Sequence, residues 1–343
     1  MKTIAFTHNG PIDRADALQL LELPRPEATG RDLLVQVKAI SVNPVDVKLR
    51  QNADPASRPE GYRVLGWDAA GIVTAVGPEV EGFVPGDEVW YAGDITRAGS
   101  NAEYQLVDER IVAKKPTTLD WAAAASLPLT TITAWEGLFD RLNVNRPVPG
   151  ATPAILIIGG AGGVGSIAIQ LARQLTDLTV IATASREETR AWVKELGAHH
   201  VIDHSQPLPA QIDALGLGAP AFVFSTTHTD QHLADIAQLL AVQGRLVLID
   251  DPETLDIRRF KEKSLSVHWE LMFTRSLFTT ADIAAQGELL AAVAQLVDEQ
   301  VIRPTLNKTL SPINVSNLIS AHREVESGSM CGKLVLEGWQ ADD

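Results

Sequence analysis

The stretch from Ala154 to Arg186 constrains this chain more than any other. It runs Ala-Ile-Leu-Ile-Ile, then Gly159-Gly160-Ala161-Gly162-Gly163-Val164-Gly165, then Ser166-Ile-Ala-Ile-Gln-Leu-Ala-Arg-Gln-Leu175. The apolar run has no polar alternation, as a parallel strand buried on both faces requires. Beyond the glycines, Val164, Ile167, Ala168, Leu171, Ala172 and Leu175 recur at the spacing of one helix face. A second apolar run, Thr179 to Ala184, follows. Strand, glycine loop, helix and strand in direct succession form the context in which Gly160, Gly162 and Gly165 read as a G-x-G-x-x-G dinucleotide fingerprint. In such a loop one glycine makes the tight turn, one lets backbone approach a pyrophosphate, and one lets helix pack on strand. The loop's free N–H groups and the helix N-terminus would then stabilise the phosphate charge.

Length and charge narrow the rest. At 343 residues two domains are expected. The net charge is −14, from 29 basic and 43 acidic residues without a basic cluster, which argues against nucleic acid and anionic membrane as partners. A single cysteine, Cys331, excludes a disulfide framework and a thiolate metal cage. No apolar run approaches the roughly 20 residues of a membrane span. Met1-Lys2-Thr3 leads straight into a short strand-like run, so a cytoplasmic protein without a secretory leader is expected.

Residues 1–115 read as short strands between Gly and Pro punctuation: Leu33–Ile40, Gly71–Gly77, Asp87–Tyr91 and Ala102–Val107. That pattern suggests a small, partly open barrel. Two polar loops, Gln51–Tyr62 and Gly93–Ser100, interrupt it where substrate contacts would sit. An Ala- and Leu-rich passage, Leu119–Leu142, reads as helical. After the fingerprint, strands are expected at His200–Ile202, Ala221–Phe224, Arg245–Ile249 and Ser264–Phe273. Helices are expected near Glu187–Leu196 and Gln231–Leu240, stopped by Gly197 and Gly244, with an amphipathic helix over Ala281–Gln300 and a last short strand at Lys333–Leu336. Alternating strands and helices mean a parallel sheet with right-handed crossovers.

The end of the second strand bears on cofactor choice. A site for NAD wants a carboxylate there to accept from the ribose hydroxyls. This chain offers Thr183-Ala184-Ser185-Arg186 instead, and Arg186 can pair with a 2′-phosphate. Ser185-Arg186-Glu187-Glu188 is also a capping-box pattern for the next helix. NADPH is the expected cofactor.

Several segments together resemble the medium-chain dehydrogenase/reductases, in their quinone oxidoreductase-like branch, often labelled zinc-type alcohol dehydrogenase-like. They are 37–46 (Val-Lys-Ala-Ile-Ser-Val-Asn-Pro-Val-Asp), 65–77 (Leu-Gly-Trp-Asp-Ala-Ala-Gly-Ile-Val-Thr-Ala-Val-Gly), 85–89 (Pro-Gly-Asp-Glu-Val), 126–135, the glycine loop, 196–203 and 332–336. The resemblance covers essentially the whole chain. It implies an α/β protein: a GroES-like, partly open β-barrel catalytic domain (1–125 and 276–343) split around a Rossmann doubly wound parallel sheet (126–275), with the active site in the cleft. By resemblance Asn43 contacts the nicotinamide ribose, Thr133 faces the nicotinamide, His204 packs near the adenosine and Lys333 reaches the pyrophosphate. Phe224, Ser225 and Ile249, at strand ends, complete the candidate cofactor contacts. Each has a plainer alternative: Asn43-Pro44 is also a good turn, and Lys333 suits a solvated strand end.

The family's zinc members carry a Cys ligand where Asn43 stands and Gly-His-Glu where Gly66-Trp67-Asp68 stands; their relay Ser or Thr falls at Val45. Asn and Trp do not replace thiolate and imidazole, so no zinc is expected. The histidines at 199, 200, 204, 228 and 232 lack a companion carboxylate arrangement, so no other metal site is expected either. Asp46 and Lys48 are candidate proton-relay groups or a surface ion pair, and Trp67, Trp90 and Tyr91 candidate pocket walls or core. Together these point to a zinc-independent, NADPH-dependent reductase of quinones or α,β-unsaturated carbonyls. A zinc alcohol dehydrogenase and a non-catalytic NADPH-binding protein are the alternatives. The apolar Ser264–Phe273 segment, read as a sheet edge, suggests a homodimer.

Overall fold

The computed structural model describes residues 1–54 and 60–339. The chain divides into two compact units, Met1–Leu129 with Phe273–Asp343, and Thr130–Met272. The first unit opens with β1 (Lys2–Phe6), β2 (Gln19–Glu22), β3 (Asp32–Ser41), α1 (Pro44–Asn52), β4 (Arg63–Val64), β5 (Ala69–Val76), β6 (Glu88–Tyr91), β7 (Tyr104–Asp108) and β8 (Val112–Lys114). Two short helices follow, α2 (Trp121–Ala125) and α3 (Pro128–Trp135). The second unit holds β9 (Thr152–Ile158), α4 (Gly163–Leu175), β10 (Thr179–Thr183), α5 (Glu187–Glu195), β11 (His200–Ile202), α6 (Leu208–Ala214), β12 (Pro220–Ser225), α7 (Thr229–Leu239), β13 (Arg245–Leu248) and β14 (Ser266–Trp269). The chain then returns to the first unit through α8 (Thr274–Leu277), α9 (Ala285–Asp298), β15 (Leu306–Leu310), α10 (Val315–Glu326) and β16 (Lys333–Glu337).

In the first unit the strands form two open sheets and no closed barrel. A small sheet has the order β2-β1-β4, and a larger one the order β15-β16-β3-β5-β6-β8, with β7 also paired to β3. The ten-residue β3 is the spine: β7 pairs with its first half, β16 with its last residues, and β5 along its length. Gly71 is needed there, because a Cβ at that position would stand 2.3 Å from the carbonyl oxygen of Gln36.

In the second unit six parallel strands take the order β11-β10-β9-β12-β13-β14. Counted within the unit this is third, second, first, fourth, fifth, sixth, the doubly wound order of a Rossmann fold. The order reverses between β9 and β12, and the glycine loop leaves β9 at that reversal. Leu156 and Ile158 of β9, Val223 of β12, Leu246 and Leu248 of β13, and Leu233 and Ile236 of α7 share one buried cluster.

The structure departs from the sequence expectation in instructive places. Leu119–Leu142 is not one helix. Pro128 has no N–H to continue α2 and opens α3 at its first turn, and a π-helical segment, Glu136–Arg141, follows. Asn43-Pro44 is not a turn but the entry of α1, with Asn43 as N-cap. Gly197 ends α5 with φ +108°, whereas after α7 the left-handed residue is Gln243 (φ +63°) and not Gly244. Gly244 is small for another reason: its Cβ would lie 2.6 Å from Leu240 Cγ. The sixth strand is shorter than expected, since Met272 and Phe273 turn into the core. Among the described residues no helix is long and apolar enough to cross a membrane.

Candidate active site

In the second unit the loop after β9 shows why its glycines are glycines. Gly159, outside the fingerprint triplet, makes the sharp turn: its φ is +79°, and a Cβ there would meet Thr226 Oγ1 at 2.3 Å. Its N–H donates to Thr183 Oγ1 (3.0 Å), and the N–H of Gly160 to the Thr183 carbonyl (3.1 Å). A Cβ on Gly165 would stand 2.3 Å from the Gly159 carbonyl oxygen, so only glycine lets α4 approach the loop this closely. Gly162 is different. Its Cβ would touch only the Gly159 carbonyl oxygen, at an ordinary 3.6 Å, which leaves room at the N-cap of α4. The first N–H groups of α4, on Gly163, Val164 and Gly165, have no carbonyl one turn earlier to bond. That room and the orphan donors together suit an anion such as a dinucleotide pyrophosphate.

The turn after β10 corrects the capping expectation. α5 starts at Glu187, and its cap is made by Thr189, whose hydroxyl accepts from Arg186 N–H (3.3 Å) and donates to the Arg186 carbonyl (2.9 Å). Ser185 is therefore not the capping residue, and Ser185 and Arg186 are both exposed. A further cation, missed in the sequence, lies here. Arg190 folds back so that Nη1 donates to the Ala184 carbonyl (3.1 Å), which holds its guanidinium against the same turn.

His204 is half-buried, with Nδ1 3.1 Å from Thr183 Oγ1. Burial pushes its imidazole below the ordinary value, with Arg186 and His228 adding to the effect and Asp203 opposing it. A neutral ring accepting at Nδ1 from Thr183 fits both facts, because the Thr183 hydroxyl already accepts from Gly159. Ser225 is buried and bonds Thr229 Oγ1 (2.7 Å), which donates to Asp250; the Thr229 N–H also donates to Asp250 (2.8 Å). Ile249 is half-buried beside it, its N–H on the Ser225 carbonyl (3.3 Å). Phe224 is a correction: it is fully buried against Gly137, whose Cβ would meet the ring at 2.6 Å, so it is core and not a cofactor contact. Thr133 lies buried in α3.

In the first unit four polar side chains meet with almost no exposure: Asn43, Asp46, Asp68 and Lys333, at 1%, 1%, 0% and 2%. The Lys333 ammonium donates to Asp68 Oδ2 (3.0 Å), to Asn43 Oδ1 and to the Val42 carbonyl (3.5 Å). Asp68 also accepts from Asn43 Nδ2 and from the Leu129 N–H at the first turn of α3, both at 2.8 Å. Burial raises the Asp68 carboxyl, and Lys333 and these donors oppose that rise. Every side-chain partner facing it donates, which is what an ionised carboxylate needs. Lys333 is thus not a solvated strand end: its ammonium is bonded within this cluster, as is the amide of Asn43.

Asp46 accepts from the N–H groups of Asn43 and Gly66, each at 2.8 Å. It is a buried helix-capping carboxylate, neither an exposed relay nor half of a surface ion pair with Lys48, and burial raises its pKa to about 7. Lys48 is exposed on α1. Trp67 and Tyr91 are fully buried, which takes them out of the pocket wall. Trp67 donates Nε1 to the Asp94 carbonyl (3.2 Å) and meets Phe273 edge-on at 6.1 Å. Burial raises the Tyr91 hydroxyl. The Gly93–Ser100 loop is stitched to 64–66 by N–H bonds from Gly99 and Ser100, and within Gln51–Tyr62 residues 55–59 lie outside the described residues.

Comparison with known proteins agrees with this architecture. A model of the alcohol dehydrogenase GroES-like domain matches residues 29–117, and one described as zinc-binding dehydrogenase matches 196–336. A zinc-type alcohol dehydrogenase-like protein of Staphylococcus aureus is 39% identical over 98% of this chain and 99% of its own length. The chain is a medium-chain dehydrogenase/reductase of the quinone oxidoreductase-like branch. Among solved structures, a Rhizobium etli protein with the provisional name zinc-dependent alcohol dehydrogenase is 63% identical, with a TM-score of 0.97 and 99% of each chain covered. The quinone oxidoreductase of Coxiella burnetii is 28% identical, with a TM-score of 0.80 and 98% and 99% covered. The 2-methylene-furan-3-one reductase of Solanum lycopersicum is 29% identical over 98% of this chain and 79% of its own. This medium-chain dehydrogenase/reductase is accordingly an oxidoreductase. Zinc does not fit the donors at the positions where the family's zinc members bind it. Asn43 is an amide, Trp67 a buried indole bonded elsewhere, and Asp68 is held by Lys333; among the described residues no group of three His, Cys, Asp or Glu is arranged for a metal.

Two buried groups give this dehydrogenase/reductase a testable pH signature. Burial first, then the charge of Arg50, whose Nε lies 3.5 Å from its Nδ1, depresses His322 to about 3. Between about pH 3 and the unfolded histidine value near 6.5, the unfolded chain binds a proton there that the folded chain does not, so stability rises with pH. Asp46 acts oppositely: from its unfolded value of 3.8 up to about 7 the folded chain alone keeps the proton, so stability falls as pH rises. Over the shared window the two slopes, each roughly 1.4 kcal/mol per pH unit, cancel. Removing one group should expose the other. Measured by thermal unfolding between pH 4 and 6.5, His322→Gln should lose stability with rising pH relative to the parent, and Asp46→Asn should gain it; parallel profiles for all three proteins would refute both assignments.

Proposed function

We propose that this chain is an NADPH-dependent reductase of quinones or α,β-unsaturated carbonyls, acting by direct hydride transfer without a bound zinc. The observation that carries the reading is the donor set around Asn43 and Asp68, which offers no place for a Lewis-acid metal to polarise a simple ketone. An acceptor that is already electron-poor, and whose reduced form is stabilised by conjugation, is what such a site suits. The likeness to a quinone oxidoreductase and to a reductase of a conjugated furanone supports the same class. When bound, the nicotinamide cofactor supplies the hydride. The chain's own residues hold and orient it: the N–H groups of Gly163, Val164 and Gly165 face the pyrophosphate, neutral His204 lies toward the adenosine, and Ser185 and Arg186 take the 2′-phosphate. The proton that completes the reduction comes from water or from the exposed Lys48.

An acceptor screen tests the class. With NADPH deuterated at the transferred position, label should appear in a quinol or at the β-carbon of a saturated ketone made from an enone. Turnover of simple alcohols or ketones, with neither of the other acceptors used, would instead support a zinc-type alcohol dehydrogenase.

Cofactor choice rests on Ser185 and Arg186. A charge-assisted contact contributes roughly 1.5–3 kcal/mol, so NADPH should bind about 10- to 100-fold tighter than NADH, and Arg186→Ala should remove most of that gap. Equal affinities in titration calorimetry of the parent would sink this choice.

A homodimer belongs to the same reading. Among the described residues β14 pairs with β13 alone and ends its sheet; its last residue, Trp269, and nearby Leu271 are 55% and 51% exposed. An apolar sheet edge of this kind favours pairing with a second copy. Light scattering at micromolar concentration should give twice the chain mass; a monomeric mass would count against it.

A further inference from the structure

The cluster of Asn43, Asp68 and Lys333 can be taken beyond its mismatch with zinc. Its centre is an ammonium group. Three oxygens surround Lys333 Nζ: Asp68 Oδ2 at 3.0 Å, the Val42 carbonyl at 3.5 Å, and Asn43 Oδ1 in a short hydrogen bond. A lysine ammonium has three N–H donors and no acceptor, so this set saturates it. No donor is left for a substrate, and Lys333 is a positioning residue. Two of its partners occupy the positions where zinc relatives carry Cys and the Glu of Gly-His-Glu. We propose that the Lys333 ammonium is the built-in cation of this site, standing in for the charge that a metal supplies in those relatives.

Three features favour this over an incidental ion pair. First, the carboxylate cannot stand alone. Asp68 is fully buried, and Asn43 Nδ2 and Leu129 N–H offer it dipoles but no net charge. Loss of one partner of a buried pair leaves an uncompensated charge, far costlier than loss of the pair together. Second, the oxygens around Nζ form a hard donor set with no sulfur or imidazole. They suit an ammonium, calcium or magnesium rather than zinc. Third, the lysine fixes the amide of Asn43, because Oδ1 faces an obligate donor and Nδ2 an obligate acceptor. The site therefore keeps a cation and a defined Asn43 orientation without any metal supply. Removing the side chain should open a small oxygen-lined site for a hard cation or an alkylammonium ion.

The test uses thermal unfolding and metal analysis of the full chain, so it is independent of which acceptor or cofactor the protein uses. Lys333→Met should lower the unfolding midpoint by roughly 10 °C. Lys333→Met/Asp68→Asn, which removes both charges, should recover at least half of that loss. Ethylammonium or calcium at millimolar concentration should raise the midpoint of Lys333→Ala, zinc should do so far less, and the parent should respond to none of them. Parent protein purified without a metal-binding tag should contain far less than one zinc per chain. A Lys333→Met variant as stable as the parent, a double variant no better than the single, or stoichiometric zinc in the parent lost on Asp68→Asn would each overturn the proposal. Should Lys333→Ala not fold, the double variant and the parent's metal content still decide it.

Discussion

A carboxylate with no solvent must find its compensation inside the protein, and the first unit is arranged around that demand at Asp68. The cost of stripping water from an ionised group is several kcal/mol even after relaxation. Compensation comes from three separate chain segments, Asn43 after β3, Lys333 at the start of β16 and Leu129 at the start of α3, while the Ser100 hydroxyl pins the Asp68 backbone by donating to its carbonyl at 3.1 Å. None of these can drift without exposing an unpaired buried group. The pleat of β3 and the pairing of β16 against it are thus held by polar as well as apolar contacts. Asp46, in the first turn of α1, ties the same region together by accepting from the N–H groups of Asn43 and Gly66.

This interaction also shows what a sequence can and cannot reveal. Asp68 and Lys333 are 265 residues apart, and nothing in the local pattern of either says that they meet. Lys333 has the local look of a strand end, and only the return of the chain to the first unit buries it. The glycine loop is the opposite case. Its strand, turn, helix and second strand are contiguous, each constrained by its neighbours, and the periodicities of β9 and α4 place them to within a few residues. Even there the G-x-G-x-x-G spacing does not mark the turning residue. The turn falls on Gly159, whose φ of +79° puts it, not Gly160, at the tightest point. The local sign of it is the doublet Gly159-Gly160.

Other departures arise where two local rules compete. At Leu119–Leu142 helix propensity favours continuity while Pro128 forbids it, and the proline prevails because a missing donor and a steric clash outweigh propensity. At Ser185–Glu188 a capping pattern competes with Arg186–Thr189, and the later register forms because Thr189, buried against the turn, bonds both the N–H and the carbonyl of Arg186. Trp67 and Tyr91 could equally have been pocket or core from spacing alone. Burial decides for core, and Phe273, arriving late in the chain, supplies the contact that makes it so for Trp67.

A chain of net charge −14 is at first sight a poor host for an anionic dinucleotide. Net charge is the wrong measure at this range. At physiological salt the screening length is about 8 Å, so carboxylates spread over the surface contribute little beside donors held near 3 Å. What counts is the local balance at the turn after β10. There Arg186 and Arg190 face Glu187 and Glu188, which are exposed in the first turn of α5 and stabilise its positive end. Asp203 adds a further negative charge that Arg190 feels, so the count of charges does not favour an anion and geometry must decide. Arg190 is tethered to the Ala184 carbonyl, directly before Ser185, whereas the two glutamates are exposed to solvent. The tethered cation acts at fixed distance and the solvated anions are screened, a balance compatible with the NADPH reading proposed above, while α5 keeps the carboxylates that favour its start.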